Sequence, residues 1–281
     1  TGAMVKLPAG ACNAHCHVFG PRERFPYAPD AAYVPQQDAP KEALFALNDR
    51  LGLQRCVVVQ SACHGFDNRA TEDAVAARPD DYRGIALLPT DVDDAELRRL
   101  DARGFRGVRF NFMGHLGQHT PVADILALAA RLEPLGWHLQ IHGDPALLGV
   151  QAEALAASPV PVVIDHIGRV DAALGLDQPA FRQLMRLMED ERFWVKLSGM
   201  DRISRAGPPY ADAQPFVRTL MAAFADRVVW GNDWPHPNHA GPMPDEDELV
   251  RLIAQIAPTA DALERLMVHN PQRLYRFGEP A

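Results

Sequence analysis

The 281-residue chain has no apolar run approaching the roughly 20 residues needed to cross a bilayer, which excludes a membrane-spanning helix. It also lacks any block of like charge. Acidic and basic residues are interspersed over a formal net charge of −8, so neither a nucleic-acid footprint nor a cationic membrane-surface helix is expected. Cysteine is scarce: Cys12, Cys16, Cys56 and Cys63 show no CxxC spacing and are too few to staple a chain this long, which favours reduced thiols over disulfides. No signal-peptide pattern opens the chain, and Thr1-Gly2-Ala3 ahead of Met4 reads as a cloning remnant, so the expected location is the cytoplasm. Low-complexity stretches, internal repeats and Gly/Ser linkers are missing, and with them any sign of a domain boundary. These absences leave a soluble protein, compatible with a homo-oligomer, that acts on a small molecule.

What is present is an alternation. Hydrophobic residues make up 47% of the chain, enough for a substantial core. Short β-branched runs occur at Cys12–His17, Cys56–Gln60, Gly84–Leu88, Gly107–Phe112, His138–His142, Val160–Asp165, Trp194–Ser198 and Val228–Asn232. Between them lie segments with apolar residues three and four apart: Lys41–Leu51, Asp67–Ala77, Asp93–Arg103, Val122–Leu135, Pro145–Ala157, Pro179–Glu191 and Asp212–Phe224, with Glu246–Ile256 as an eighth. Strands alternating with helices imply parallel pairing, and eight such units fit a single-domain α/β fold, the closed (β/α)8 TIM barrel. An open doubly wound sheet is the alternative. Against it, "AHCHVFGP" stands after the first strand where a Gly-rich phosphate turn belongs. Thr259–Val268 and a short closing helix at Asn270–Tyr275, with Asn270 as N-cap and Pro271 at the first helical position, complete the pattern.

In a strand, residues i and i+2 share a face, so His15 and His17 point one way and Cys16 the other. Alone, an HxH is as easily a locally bonded pair as a functional one. Here His142 ends "WHLQIH", His166 follows "VPVVID" and Asp233 follows "RVVWGN", so five polar groups close apolar runs. Catalytic groups of such barrels sit at the C-terminal ends of strands. Each has a plainer reading, a satisfied core histidine or a helix N-cap, but five convergent positions resist it together. Pro235 and Pro237 in "DWPHP" restrict the loop that carries Asp233. Arg109, inside a strand, is expected to pair with a neighbouring carboxylate, with Asn111 on its face. His64 is a candidate for the pocket wall, and His236 for a brace of the proline loop.

These residues resemble the amidohydrolase superfamily, and "AHCHVFGP", "FALNDRLGLQRCVVVQSACHG", "GVRFNF", "VIDHIGR", "WGNDWPHPN" and "NPQRLY" resemble its 2-pyrone-4,6-dicarboxylate lactonase branch, from about Pro8 to Phe277. The resemblance implies a (β/α)8 barrel over residues 8–277 and hydrolysis of a small anionic lactone in aromatic-compound catabolism, without a metal. It assigns His15, His17 and His166 to polarising the lactone carbonyl and Asp233 to activating water. Such a base works best if burial raises its pKa toward working pH. Tyr33, Ser61 and Arg202 would hold the substrate, Arg202 gripping a carboxylate at two points.

Two positions depart from that branch. His115, in "FNFMGHLGQ", stands where those lactonases carry an arginine for a second carboxylate, and His142 stands where they carry a tyrosine. The first shifts the expected substrate toward relatives of the pyrone dicarboxylate, such as a muconolactone or a sugar-acid lactone. The second makes His15, His17, His142 and Asp233 a set that suits a single Zn²⁺, as in metal-dependent decarboxylases or hydratases acting on related acids. In that case His166 would serve as the acid or base beside the metal. An imidazole nitrogen offers a lone pair to a metal or a proton to an oxygen, not both.

Overall fold

The computed structural model describes residues 5–113 and 119–279; His115 lies outside the described residues. Eight strands are present: β1 (Cys12–Cys16), β2 (Arg55–Val59), β3 (Tyr82–Ala86), β4 (Phe105–Phe112), β5 (His138–Gly143), β6 (Val162–Ile164), β7 (Phe193–Lys196) and β8 (Val228–Val229). They form one sheet in sequence order, with parallel pairing at every step. Between and after them run α1 (Lys41–Leu51), α2 (Arg69–Ala77), α3 (Asp94–Ala102), α4 (Val122–Leu132), α5 (Pro145–Leu155), α6 (Pro179–Met188), α7 (Met200–Ile203), α8 (Gln214–Ala223), α9 (Glu246–Ile256), α10 (Ala260–Glu264) and α11 (Asn270–Tyr275). This is the expected single-domain (β/α)8 barrel.

Local chemistry sets the helix ends. Asp93 and Asp245 each accept a backbone N–H three residues on, capping α3 and α9, and three acidic residues in the first turn of α9 face the positive end of its dipole. Gly52 ends α1 at φ +76°, a conformation that favours glycine. The apolar stripes of α4 (Ile125, Leu128, Leu132) and α6 (Phe181, Leu184, Met188) are buried in one core with the sheet.

The closing helix and β8 are among the elements that depart from the sequence pattern. Asn270 is not an N-cap: its backbone is already helical, continuing a π-helical turn over Arg265–His269, and its side chain donates to the carbonyls of Ala225 and Val228, both at 2.8 Å. The start of β8 and the turn leading into it offered it better partners than its own helix. β8 stops at Val229 rather than Asn232 because the following residues turn to meet β1. Ala14 N–H donates to Trp230 O (2.8 Å), Asp233 N–H to His15 O (2.9 Å) and His17 N–H to Trp234 O (2.8 Å), closing the barrel. Only glycine fits at the seam, since a Cβ on Gly231 would sit 2.4 Å from the backbone nitrogen of His15.

Along β1 the pairing with β2 slips between Asn13 and Cys16. Asn13 accordingly reaches Asn48 on α1 (3.2 Å) and Asn232 (2.9 Å), while Cys16 packs with Leu44 and Cys56 on the helix side. His15 and His17 remain on the opposite side, as the spacing predicts. Leu274 and Tyr275 of α11 pack with Val57, Val163 and Val229 and plug one end of the barrel.

Candidate active site

The strand-end groups meet in one place. The rings of His15 and His17 lie 4.9 Å apart, His15 and His166 4.6 Å, and His142 and His166 5.2 Å, all edge-on. Asp233 Oδ1 stands 3.4 Å from His15 Nε2 and 3.3 Å from His17 Nε2. Asp233 and His166 both adopt positive φ, +61° and +52°, so two of the central side chains are held on strained backbone. Around them lies a cavity enclosing about 680 Å³, partly continuous with solvent. Tyr33 and Ser61 line it.

Arg202 lies on α7, a single turn that the sequence pattern did not reveal, and it donates from Nε to Asp233 Oδ2 at 2.6 Å. Its Nη2 donates to Pro237 O (2.9 Å). This contact reverses the pKa expected for the base. Burial pushes the Asp233 carboxyl up, but the Arg202 charge and the surrounding imidazoles outweigh it and hold the group well below the usual carboxylate range. Asp233 is therefore a fully ionised, clamped carboxylate.

His15, His142 and His166 are neutral for a related reason. Burial, reinforced by the Lys196 charge, drives His15 well below its ordinary pKa, and burial takes His166 down to about 3. His142 is lowered by burial and by Arg109. His17 Nδ1 donates to Val59 O (2.7 Å), turning Nε2 toward Asp233. His166 Nδ1 meets Ser198 Oγ (2.8 Å), and His142 Nδ1 meets Asn111 Oδ1 (2.9 Å). His15 Nε2 and His142 Nε2 are buried without a hydrogen-bond partner, an arrangement that calls for a ligand atom.

Three charged residues of the site escaped the sequence reading. Arg169, in "VIDHIGR", lines the cavity, and burial together with the like charge of Arg202 depresses its pKa. An incoming anion would relieve both. Asp165 is buried between Arg109 (Nε to Oδ2, 2.8 Å) and Lys196 (Nζ to Oδ1, 2.9 Å), so Arg109 does pair with a carboxylate, as expected. Lys196 was hidden inside the apolar run "FWVKLSG", where a lone lysine was itself the available signal. It is 0% exposed and touches His15 Nδ1 at 2.8 Å.

Two further histidines, His64 and His236, hold loops in place. His64 accepts from Gly20 N–H (3.1 Å) and contacts Pro26 O (3.1 Å) rather than lining the cavity. His236 pairs with Glu246, whose other oxygen accepts from Asn232 (3.0 Å), so the proline loop is braced as predicted. Burial opposes a charge on His236, but the Glu246 hydrogen bond and charge win and raise its pKa. A raised histidine pKa stabilises the fold fully below the unfolded value of about 6.5, and the contribution is lost as pH climbs through the folded value. Glu246→Gln should therefore lower the melting temperature, by about 2–4 °C per kcal/mol lost. Thermal melts of the two proteins from pH 6 to 9 should converge as pH rises; a constant gap would show that the pair contributes through shape alone.

His15, His17 and Asp233 bring one potential ligand atom each within 4.8 Å of one another, and His15, Asp165 and His166 form a second such group; His142 joins neither. Among the described residues no helix is long and apolar enough to cross a membrane.

An amidohydrolase family model matches residues 12–277. The chain is 45% identical over 279 residues to a 2-pyrone-4,6-dicarboxylate hydrolase of Comamonas testosteroni, covering 96% of this chain and 91% of that protein. It is 39% identical over 272 residues to a 4-sulfomuconolactone hydrolase of Rhizobium radiobacter, again covering 96% and 91%. Among solved structures, a probable 2-pyrone-4,6-dicarboxylic acid hydrolase of Acinetobacter baumannii with citric acid bound superposes with a TM-score of 0.85 at 28% identity, over 95% of this chain and all of that one. With barrel, strand-end histidines and near full-length likeness in agreement, the chain belongs to the amidohydrolase family.

Proposed function

We propose that this protein hydrolyses a small lactone bearing carboxylate groups, 2-pyrone-4,6-dicarboxylate or a related muconolactone, in the breakdown of aromatic compounds. The observation that carries the reading is the pairing of Asp233 with Arg202 beside His17 and the neutral His15 and His166, in a cavity that Arg109 and Arg169 also line. Two hydrolases of such lactones are the relatives named above, and a solved relative holds a tricarboxylate.

In this mechanism the substrate carboxylate takes up the Arg202 guanidinium, loosening its grip on Asp233. The carboxylate of Asp233 then becomes a stronger base only when substrate is in place. It accepts a proton from water as the water oxygen bonds to the lactone carbonyl carbon. The charge that builds on the carbonyl oxygen is met by imidazole N–H groups, donors worth roughly 10²–10³ in rate each where they act as an oxyanion hole. Collapse breaks the ring C–O bond, and the leaving oxygen takes the proton held by Asp233. Arg169 and Tyr33 line the same cavity and would receive a second acidic group, the role that an arginine fills in the lactonase branch where this chain has His115.

A resident zinc fits the set less well. Asp233 has an oxygen committed to Arg202, and His142 stands outside the group formed by His15, His17 and Asp233. Purified protein should remove the ultraviolet absorbance of 2-pyrone-4,6-dicarboxylate or open a carboxylated muconolactone, with the rate unchanged after chelation. Absence of turnover on every such lactone from pH 6 to 9 would reject the reading, and carbon dioxide release with stoichiometric zinc would replace it by the decarboxylase alternative.

A further inference from the structure

The barrel interior behind His15 is polar where such barrels are filled with apolar layers. Lys196 Nζ, fully buried at the end of β7, reaches three groups: Asp165 Oδ1 at 2.9 Å, the side-chain oxygen of Gln140, and His15 Nδ1 at 2.8 Å. Gln140 has its orientation fixed in turn, because its amide nitrogen meets His138 Nε2 (3.1 Å) and the Tyr275 hydroxyl (3.4 Å). Its oxygen is thus the atom left for the lysine. Asp165 is anchored from the other side by Arg109 at 2.8 Å. An ammonium has three protons and no lone pair, and the three groups it meets are all acceptors if His15 Nδ1 is unprotonated.

A neutral imidazole has one protonated nitrogen. With a donor fixed against Nδ1, the proton stands on Nε2, the atom turned toward Asp233 and found without a hydrogen-bond partner. We infer that Lys196 is a positioning residue: held by Asp165 and Gln140, it sets His15 as an Nε2–H donor, ready for a substrate oxygen and without the lone pair a divalent metal requires. The orphaned Nε2 alone would suit either a metal or a carbonyl oxygen. The lysine behind the ring decides between them. The same HxH pair on a strand end would acquire the opposite chemistry if the residue at 196 accepted a proton from Nδ1 instead of donating one.

This inference rests on the proposed lactone hydrolysis only for the identity of the oxygen that His15 meets, and its primary test needs no substrate. Two-bond ¹H–¹⁵N correlation spectra of the wild-type protein with ¹⁵N-labelled histidine, assigned by the signals lost in His15→Asn, read the tautomer directly. The expected result is a pyridine-type Nδ1 and a pyrrole-type Nε2 for His15; a proton on Nδ1 overturns the inference. Two variants separate donation from packing. Lys196→Met removes the donor and should raise Zn²⁺ affinity, measured by calorimetry on the apoprotein, by about 10–100-fold, the usual leverage of a residue that orients a metal-binding histidine. Lys196→Gln keeps an N–H beside Nδ1 and should leave zinc affinity near that of the wild type. Equal zinc affinity in wild type and Lys196→Met, or a rise as large in the glutamine variant, would refute the role. If neither variant folds, the wild-type spectrum still decides.

Discussion

Asp233→Asn should lower turnover of the lactone by about 10²–10⁴, the range that a positioned base supplies, without raising KM. The substitution keeps the shape of the side chain and its backbone bond to His15, but an amide cannot take the proton from water. Arg202 loses its counter-charge at 2.6 Å and becomes freer to engage the substrate, so binding holds or tightens while kcat falls. Initial rates followed by lactone absorbance separate the two constants. Near-normal turnover would remove Asp233 from the chemistry, and a matching rise in KM would assign it to binding instead.

Arg202→Met should act in a different way. Truncating one partner of a buried, hydrogen-bonded charge pair costs about 2–5 kcal/mol, so kcat/KM should drop by about 30-fold or more, chiefly through KM. A second effect follows from the electrostatics. Burial pushes Asp233 up and Arg202 pulls it down, and with the guanidinium gone burial acts against a weaker opposition. The acid limb of the rate profile should then move toward neutrality, whereas the wild-type protein should show no acid limb from this group above about pH 4, the ordinary carboxylate range. Arg202→Lys should recover part of the charge effect without the two-point grip. A methionine variant with unchanged KM would show that the guanidinium serves only to clamp Asp233.

The parts of this site that could be read from the sequence are those governed by local rules. Period-2 alternation puts His15 and His17 on one side of β1, and polar residues closing apolar runs mark His142, His166 and Asp233, since a strand end is where a side chain leaves the packed layer. The (β/α)8 order follows from the same periodicity. What local rules do not carry is partner choice across the chain. Nothing near Arg202 shows that it meets a carboxylate 31 residues on, and nothing near Lys196 shows that it reaches His15, 181 residues away. The expectation of a raised pKa for Asp233 failed for that reason: burial was legible, but the neighbouring cation was not. Asn270 was misread on similar grounds, as its amide found the carbonyls of Ala225 and Val228, at and just before the start of β8, instead of serving its own helix. His64 looked functional because it sits beside Ser61, yet its ring is spent on holding Gly20 and Pro26.

The join between the first and last strands ties chemical competence to the completion of synthesis. Asn13 and Asn232, which bond across that join, are 219 residues apart, so the histidine pair leaves the ribosome long before the carboxylate it faces in the folded barrel. A nascent chain that has laid down seven strands owns most of the scaffold and still lacks Asp233. Because Gly231 admits the backbone of His15 with no room to spare, the last strand either docks fully or leaves Asp233 away from its partners. On the proposed role of Asp233, turnover would therefore be a stringent reporter of a finished ring, silent in any species whose ends have not met.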